Sequence, residues 1–223
     1  MDGYSKLCDI HSLKTFLHIE QDFQNEFMWI VKNGLKSEFT MLLVDDCVFV
    51  RPLDVSEELD LMRYDESIYS LAPRLSPQIN YWYEKQEPIE APGMDERYTW
   101  AWEPDKLAGG WRSFYSLDGN IFRTKNLKEW LGRLQFNTPN TLESIMRRRP
   151  LPGMPLMMCV PKPIIIGFPM NKVQTNWNTR NMGIPTEELN NQWLSGKRIN
   201  LEPFLGFESN AVHSEIPIEM ETF

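Results

Sequence analysis

Apolar and polar positions in the first third of the chain follow either a helical spacing or short continuous apolar runs. Apolar residues at three- and four-residue intervals predict a helix over residues 22–33, which Gly34 ends as a C-terminal cap. The short apolar runs 40–44 and 68–72 are typical of buried strands. Between them, residues 56–62 predict a helix that begins with an N-cap serine. Strand, helix and strand in this order predict an α/β fold.

The rest of the chain predicts a long insert followed by more strands and helices. Residues 77–111 are dense in Pro, Gly, Trp and Tyr and show no sustained period, so we expect a long ordered insert with one strand at 99–102. Loops of this length commonly serve a site. The remaining expected elements are strands at 116–123 and 164–166, helices at 126–134, 139–148 and 187–194, and an irregular tail from residue 200.

Composition predicts one globular domain over residues 1–223, of which residues 1–12 are expected to be poorly structured. Hydrophobic residues make up 42% of the 223 positions, which is enough to bury a sizeable core. There are 31 Asp and Glu residues against 23 Lys and Arg, for a net charge of -8, with no basic stripe to compensate phosphates. This balance argues against a nucleic-acid partner.

The spacing of the cysteines and of the apolar residues argues against a disulfide-rich, a zinc-binding and a membrane-spanning protein. The three cysteines, Cys8, Cys47 and Cys159, are far apart and outside any C-x-x-C spacing, so neither a disulfide framework nor a zinc site is expected. This usage is compatible with a reducing compartment, and the cytoplasm is the favoured location. No window approaches the roughly 20 apolar residues of a membrane span, so no transmembrane segment is expected.

The strongest chemical signal is a pair of adjacent carboxylates, Asp45 and Asp46, at the end of the apolar run 40–44. At the end of a buried strand, two negative charges repel each other and lose hydration, so a bound cation would stabilise them. Mg²⁺ or Mn²⁺ suits such oxygen ligands and commonly binds substrate phosphates as well. The alternative is that both residues cap the turn after the strand and bind nothing.

Three further residues have the chemistry of a site. Asp118 lies between apolar neighbours and beside Gly119, which lets a ligand or another backbone come close. Glu143 is expected in the first turn of a helix capped by Asn140, where it either meets a ligand or simply completes an ordinary capping arrangement. His213 is a surface or packed histidine, or a nitrogen ligand to the metal.

These segments, taken in order, resemble a group of GT-A-fold nucleotide-sugar glycosyltransferases. The matching stretches are VDDCVF (44–49), SLDGNIFRT (116–124), TPNTLE (138–143), NKVQ (171–174) and HSE (213–215). The resemblance spans roughly residues 15–215, and five motifs in the right order make it moderately specific. It implies a Rossmann-like α/β domain with a mixed, mostly parallel central sheet flanked by helices.

The resemblance also implies residue roles for a metal-dependent, inverting sugar transfer. Asp46 would bind Mn²⁺ or Mg²⁺ and His213 would complete the metal site, while Asp45 would lie at the metal shell or the donor ribose. Glu143 would be the general base that deprotonates the acceptor hydroxyl. Asp118 would lie under the transferred sugar or at the acceptor, and it is the second candidate for the base. The partners would be a nucleotide-sugar donor and a glycan or other hydroxyl acceptor.

Two kinds of side chain have competing interpretations. Four aromatic residues are candidates for stacking on sugar rings, although eight tryptophans in one chain mostly indicate core packing; they are Trp100, Trp102, Trp111 and Tyr115. Arg74 is a candidate for the donor diphosphate, whereas the residue alone is typical of a solvated surface arginine.

The sequence departs from the GT-A pattern at its start. GT-A domains ordinarily begin with an apolar strand and a nucleotide-binding turn some tens of residues before the metal-binding pair. Only 44 residues precede Asp45, and the first dozen hold no such strand, so we expect this first strand to be missing. A catalytically inactive GT-A-derived carbohydrate-binding or scaffold domain is therefore the alternative. A Mg²⁺-dependent phosphohydrolase ranks last, because no P-loop is present.

Overall fold

The computed structural model describes residues 21–146, 153–171 and 180–222. The expectation for residues 1–12 lies outside this range, as do the predicted helix end at 147–148 and most of the NKVQ segment (172–174). Five α-helices occur in the described part of the chain: α1 (Phe23–Trp29), α2 (Ser56–Tyr64), α3 (Thr124–Leu131), α4 (Pro139–Met146) and α5 (Thr186–Leu194).

The helix predicted over residues 22–33 is confirmed as α1 followed by a π-helical turn, Ile30–Gly34. Asp22 is its N-cap and accepts a hydrogen bond of 3.2 Å from the backbone N–H of Asn25. The helix predicted at 56–62 is also present, but Ser56 is its first residue rather than its cap. The Ser56 hydroxyl donates to the Asp54 carboxylate at 3.0 Å instead of capping the helix.

Five strands form the main sheet in the order β1 (Phe39–Met41), β7 (Ile121–Arg123), β3 (Ile68–Ala72), β8 (Leu156–Cys159) and β6 (Thr99–Ala101). The α/β class and the mixed sheet agree with the sequence analysis. The expectation of a mostly parallel sheet is wrong, because only β3 and β8 pair in parallel and the other three pairs are antiparallel. A buried apolar run does not indicate whether its neighbouring strands are parallel or antiparallel to it. The direction depends on which distant segments pair.

Six short strands form three two-stranded pairs beside the main sheet. β2 (Cys47–Phe49) pairs with β9 (Ile165–Gly167), and β10 (Lys197–Ile199) pairs with β11 (Met220–Thr222). The insert at 77–111 contains a hairpin, β4 (Tyr81–Trp82) and β5 (Glu87–Pro88), and it also contributes β6 to the main sheet.

Both faces of the main sheet are covered, and all five residues of β3 are buried. One face packs against α1, α3 and α4 through a core rich in aromatic side chains, among them Tyr69, Phe114 and Trp130. The other face packs against α2 and β9 through aliphatic residues such as Met62 and Ile165. A search of the described residues finds no helix with the length and apolarity that a membrane crossing requires.

Candidate active site

Asp46 and His213 come together on the two sides of Gly167. Asp46 directly precedes β2, whose first residue, Cys47, pairs with Gly167 of β9. On its other side, Gly167 forms a parallel bridge with His213, which two backbone hydrogen bonds of 2.8 and 3.0 Å support. One acidic and one basic residue, which lie far apart in the sequence, therefore flank the same glycine.

The His213 ring packs directly on the backbone of Gly167. A Cβ atom at position 167 would lie 2.2 Å from His213 Cδ2 and 2.8 Å from Nε2, so no larger residue fits without moving the ring. The Nε2 edge of His213 thus lies over β9, next to the segment that carries Asp46.

Arg74 and Asp118 form an ion pair close to these two residues. Arg74 follows β3 and is only 5% exposed, and its Nη1 contacts the Asp118 carboxylate, which is 25% exposed. Arg74 Nη2 donates a hydrogen bond of 2.8 Å to Ser116 Oγ. Gly119 completes the turn with φ at +95°, and a Cβ there would lie 2.8 Å from Ile165, so the turn requires glycine.

Glu143 reaches the same turn from helix α4. Its Oε1 accepts a hydrogen bond of 3.0 Å from the backbone N–H of Leu117, and Ser116 Oγ lies 3.3 Å from the same oxygen. The Ser116 hydroxyl is also 3.0 Å from the Asp118 carboxylate. Ser116 therefore bridges the two carboxylates that the sequence analysis proposes as bases.

The expected capping role of Glu143 and Asn140 is wrong. Helix α4 begins at Pro139, and Thr138 Oγ1 accepts a hydrogen bond of 3.2 Å from the backbone N–H of Thr141. Glu143 lies beyond the first turn, and its Oε1 is within hydrogen-bond distance of Ser116 Oγ and the Leu117 N–H. A threonine directly before the helix caps it better than an asparagine inside it, because the capping residue must leave the helical conformation.

Electrostatics favour a cation beside Asp46. Burial raises the pKa of Asp46, and the negative charges of Asp118 and Asp45 raise this pKa further, while His213 opposes them. Asp46 therefore lies in surroundings that disfavour its negative charge, which is the situation that a divalent cation relieves. Burial also raises the pKa of the Cys47 thiol to about 12, so this thiol is protonated at neutral pH in the metal-free protein.

Arg74 and Asp118 each stabilise the charge of the other. Burial opposes the charge of Arg74, but the carboxylates of Asp118 and Glu143 outweigh it and raise the Arg74 pKa above its ordinary value. Burial likewise raises the pKa of Asp118, yet Arg74 and His213 lower it to a net value below the ordinary range. Both partners are therefore charged at neutral pH, and Arg74 is a buried partner rather than a solvated surface arginine.

Two protein side chains near Gly167 have the donor atoms of a divalent metal site, namely the Asp46 carboxylate and the His213 imidazole. Among the described residues, no group of three or more His, Cys, Asp and Glu side chains is arranged to hold a metal ion. Mg²⁺ is usually bound through one or two carboxylates together with waters and substrate phosphates, and Asp46 has the donor type that such a site uses.

The aromatic candidates for sugar stacking are mostly core residues. Trp111 has 0% of its surface exposed and its Nε1 donates to the Ile79 carbonyl at 3.0 Å. Its ring packs edge-to-face on Trp100, which is 2% exposed, and Tyr115 is 0% exposed. The expectation that Trp111 stacks on a sugar ring, as part of the donor site, is therefore wrong in this structure, because its side chain is fully buried. Trp102 alone of the four is partly exposed.

The sequence motifs predict that Asp46, Asp118, Glu143 and His213 share one site. They do not identify the residues that hold these side chains in place. Ser116 belonged to a recognised motif without a role, and Gly167 ends a buried strand like many other glycines. Asp45, placed at the donor by the resemblance, is exposed in the turn before β2. The position of Asp118 between apolar neighbours suggested close approach of a ligand or another backbone, but it did not identify Arg74 as the partner of Asp118.

The fold and site together define an α/β protein with a mixed sheet and a cluster of acidic residues, an arginine and a histidine, in which Arg74 and Asp118 lie at one end of the inner strands β3 and β7. Comparison with family models, with curated proteins and with solved structures finds no match.

The raised pKa of Asp46 predicts a gain in stability when its charge is removed. A carboxyl group whose pKa is raised by folding stabilises the protein below its unfolded pKa, and this contribution is lost as the pH rises through the folded pKa. Asp46→Asn should therefore raise the free energy of unfolding at pH 7 in metal-free protein. The difference should shrink as the pH falls, because Asp46 then becomes protonated in both the folded and the unfolded state.

Urea unfolding at pH 7 and at pH 3.5 measures this difference. Asp45→Asn is the matched control, because Asp45 is exposed and adjacent, and it should change the free energy of unfolding by no more than about 0.5 kcal/mol. Equal effects of the two substitutions would contradict the placement of Asp46 in a desolvated acidic field.

Proposed function

We propose that this chain is a GT-A-fold, metal-dependent glycosyltransferase that moves a sugar from a nucleotide-sugar donor to a hydroxyl acceptor with inversion. One observation carries the proposal: Asp46, Arg74, Asp118, Glu143 and His213 converge from five separate stretches of chain. The sequence motifs alone do not require these five residues to lie close together. Convergence of these residue types around a polar turn supports a site for phosphate, metal and hydroxyl chemistry.

Asp46 and His213 would hold Mn²⁺ or Mg²⁺. When bound, such an ion offsets the negative charge that develops on the leaving nucleoside diphosphate. The protein contributes one carboxylate and one imidazole, and the raised pKa of Asp46 indicates that this position gains stability from a positive charge.

Glu143 is the better of the two candidate bases. Arg74 neutralises Asp118 and keeps its pKa low, so Asp118 has little affinity for a proton. Asp118 is suited instead to accept hydrogen bonds from sugar hydroxyls. Glu143 would take the proton of the acceptor hydroxyl while that oxygen attacks the anomeric carbon and the bond from that carbon to the diphosphate oxygen breaks. Attack from the face opposite the leaving group inverts the anomeric centre.

Arg74 acts through Asp118 in this proposal. Its two contacts, to the Asp118 carboxylate and to Ser116 Oγ, fix the turn that also holds Glu143. A buried arginine already paired with a carboxylate has less positive charge to offer a diphosphate. We therefore assign Arg74 a positioning role rather than the donor contact that the resemblance implied.

Metal-dependent nucleotide binding tests the proposal. Isothermal titration of the purified chain with UDP and GDP, each with and without Mn²⁺, should show binding that requires the metal. Asp46→Ala should weaken this binding at least about tenfold, because it removes the carboxylate that would hold the ion. Asp105→Ala, an exposed aspartate in the insert, is the control and should bind as the wild type does. Binding that is indifferent to both metal and Asp46 would refute the metal-dependent mechanism.

The second candidate is an inactive carbohydrate-binding or scaffold domain derived from the same fold. The observation that favours it is the lack of a three-residue ligand group among the described residues. Release of nucleoside diphosphate from a panel of UDP- and GDP-hexoses by the purified chain would exclude this candidate.

A further inference from the structure

Glu84 lies against the imidazole of His213. It sits in the turn of the β4 and β5 hairpin, and its Oε1 is 2.7 Å from His213 Nδ1. The two side chains are 34% and 22% exposed. Nδ1 itself is buried, and its N–H does not point along the line to Glu84 closely enough to count as a hydrogen bond. The Glu84 carboxylate is nevertheless in direct contact with this nitrogen.

The hairpin that carries Glu84 is fixed to the segment that carries His213. Tyr83 donates a hydrogen bond of 2.6 Å to Glu215, and Arg180 donates one of 2.5 Å to the same oxygen. The Arg180 guanidinium also lies over the Tyr83 ring, 5.6 Å from its centre. Glu215, which the motif analysis left without a role, therefore anchors the residue next to Glu84.

Backbone contacts secure the base of the same hairpin. The Asn210 carbonyl accepts hydrogen bonds of 2.9 and 3.0 Å from the N–H groups of Asn80 and Tyr81. The Tyr83 ring lies 5.9 Å from the His213 ring, centre to centre. Glu84 is thus presented to His213 by a docked element and not by a free loop end.

We infer that Glu84 is a positioning residue that keeps the His213 proton on Nδ1 and leaves the Nε2 lone pair for a cation. The two nitrogens of a neutral imidazole are distinct, and the acceptor beside one of them decides which is protonated. Metal-binding histidines commonly donate their other N–H to a carboxylate, which fixes the ring and raises the basicity of the ligand nitrogen. Nε2 lies over Gly167, on the side of β9 where Asp46 precedes β2. The cation at Nε2 rests on the proposed function, whereas the tautomer of His213 does not.

The tautomer of His213 tests the positioning role directly. The chain has three histidines, so ¹⁵N histidine labelling with two-dimensional NMR at pH 8 resolves them, and His213→Gln assigns the signal. Wild-type His213 should be the Nδ1–H tautomer in metal-free protein. Glu84→Ala should shift it to a mixture richer in Nε2–H, and Glu84→Gln should preserve Nδ1–H because its amide oxygen still accepts. A Glu84→Ala variant with unchanged Nδ1–H would overturn the inference.

Mn²⁺ affinity, measured by electron paramagnetic resonance of free Mn²⁺, gives the second readout. Loss of a carboxylate behind a metal-binding histidine typically weakens metal binding about 10–100-fold, so we expect this for Glu84→Ala and a smaller loss for Glu84→Gln. Glu87→Gln, on the same hairpin and exposed, should bind as the wild type does. If wild-type protein binds no Mn²⁺, the proposed function fails, while the tautomer result still decides the role of Glu84. Equal Mn²⁺ affinity in wild type and Glu84→Ala would overturn the inference.

Discussion

Glu143→Gln is expected to lower kcat for sugar transfer or donor hydrolysis about 10²- to 10⁴-fold, which is the usual contribution of a general base. The substitution keeps an oxygen that accepts from the Leu117 N–H, so the turn at 116–119 should retain its geometry. It removes the ability to take a proton at neutral pH. Metal-dependent nucleotide binding should therefore be unchanged, and the loss should fall on kcat alone. Release of nucleoside diphosphate from the donor panel measures the rate.

Two further variants make the base assignment specific. Glu129→Gln alters an exposed helical glutamate that pairs with Arg133 at 2.6 Å, and it should leave the rate unchanged. Asp118→Asn removes the second candidate base and also leaves Arg74 without its carboxylate, so it should lower stability as well as activity. If Asp118→Asn abolishes the rate while Glu143→Gln retains it, Asp118 is the base and our assignment is wrong.

Arg74→Met is expected to destabilise the fold by about 3 kcal/mol at pH 7. Methionine fills a similar volume, but it leaves the Asp118 charge without its partner, and breaking a buried ion pair from one side typically costs about 3–5 kcal/mol. We place the effect at the lower end because Asp118 is 25% exposed and keeps some hydration. Guanidinium unfolding with linear extrapolation gives the free energy.

A surface arginine supplies the contrast for this prediction. Arg63 is 44% exposed and pairs with Glu38 at 2.9 Å, so Arg63→Met should destabilise the fold far less than Arg74→Met does. The double substitution Arg74→Met with Asp118→Asn should be more stable than Arg74→Met alone, since it removes the orphaned charge. Similar losses for Arg63→Met and Arg74→Met would show that the Arg74 pair is not desolvated in solution.

Local elements of the fold followed well from sequence pattern. The helices at 22–33, 56–62 and 187–194 and the strand at 68–72 appear in the structure with ends shifted by a few residues. These segments carry their own signals, namely apolar spacing and polar ends. The caps were less predictable, because Thr138 and Asn140 are both good capping residues and only the backbone conformation decides between them.

The direction of the strands was the main error in the predicted fold. A continuous apolar run predicts burial on both faces, and β3 is indeed buried at every position. The same run does not predict the direction of the neighbouring strands. β7 lies between β1 and β3 and runs antiparallel to both, which follows from how distant segments pack and not from any local pattern.

The amino-acid sequence by itself determined the α/β class, the positions of most helices and strands, and the residue types with the chemistry of a site. These depend on side-chain periodicity and on the chemistry of single residues, and both can be read locally. Only the tertiary structure decided that Arg74 neutralises Asp118, that Trp111 is buried, and that Glu84 faces His213. Each of these depends on segments distant in sequence, and desolvation and charge pairing arise only when the folded chain brings such segments together.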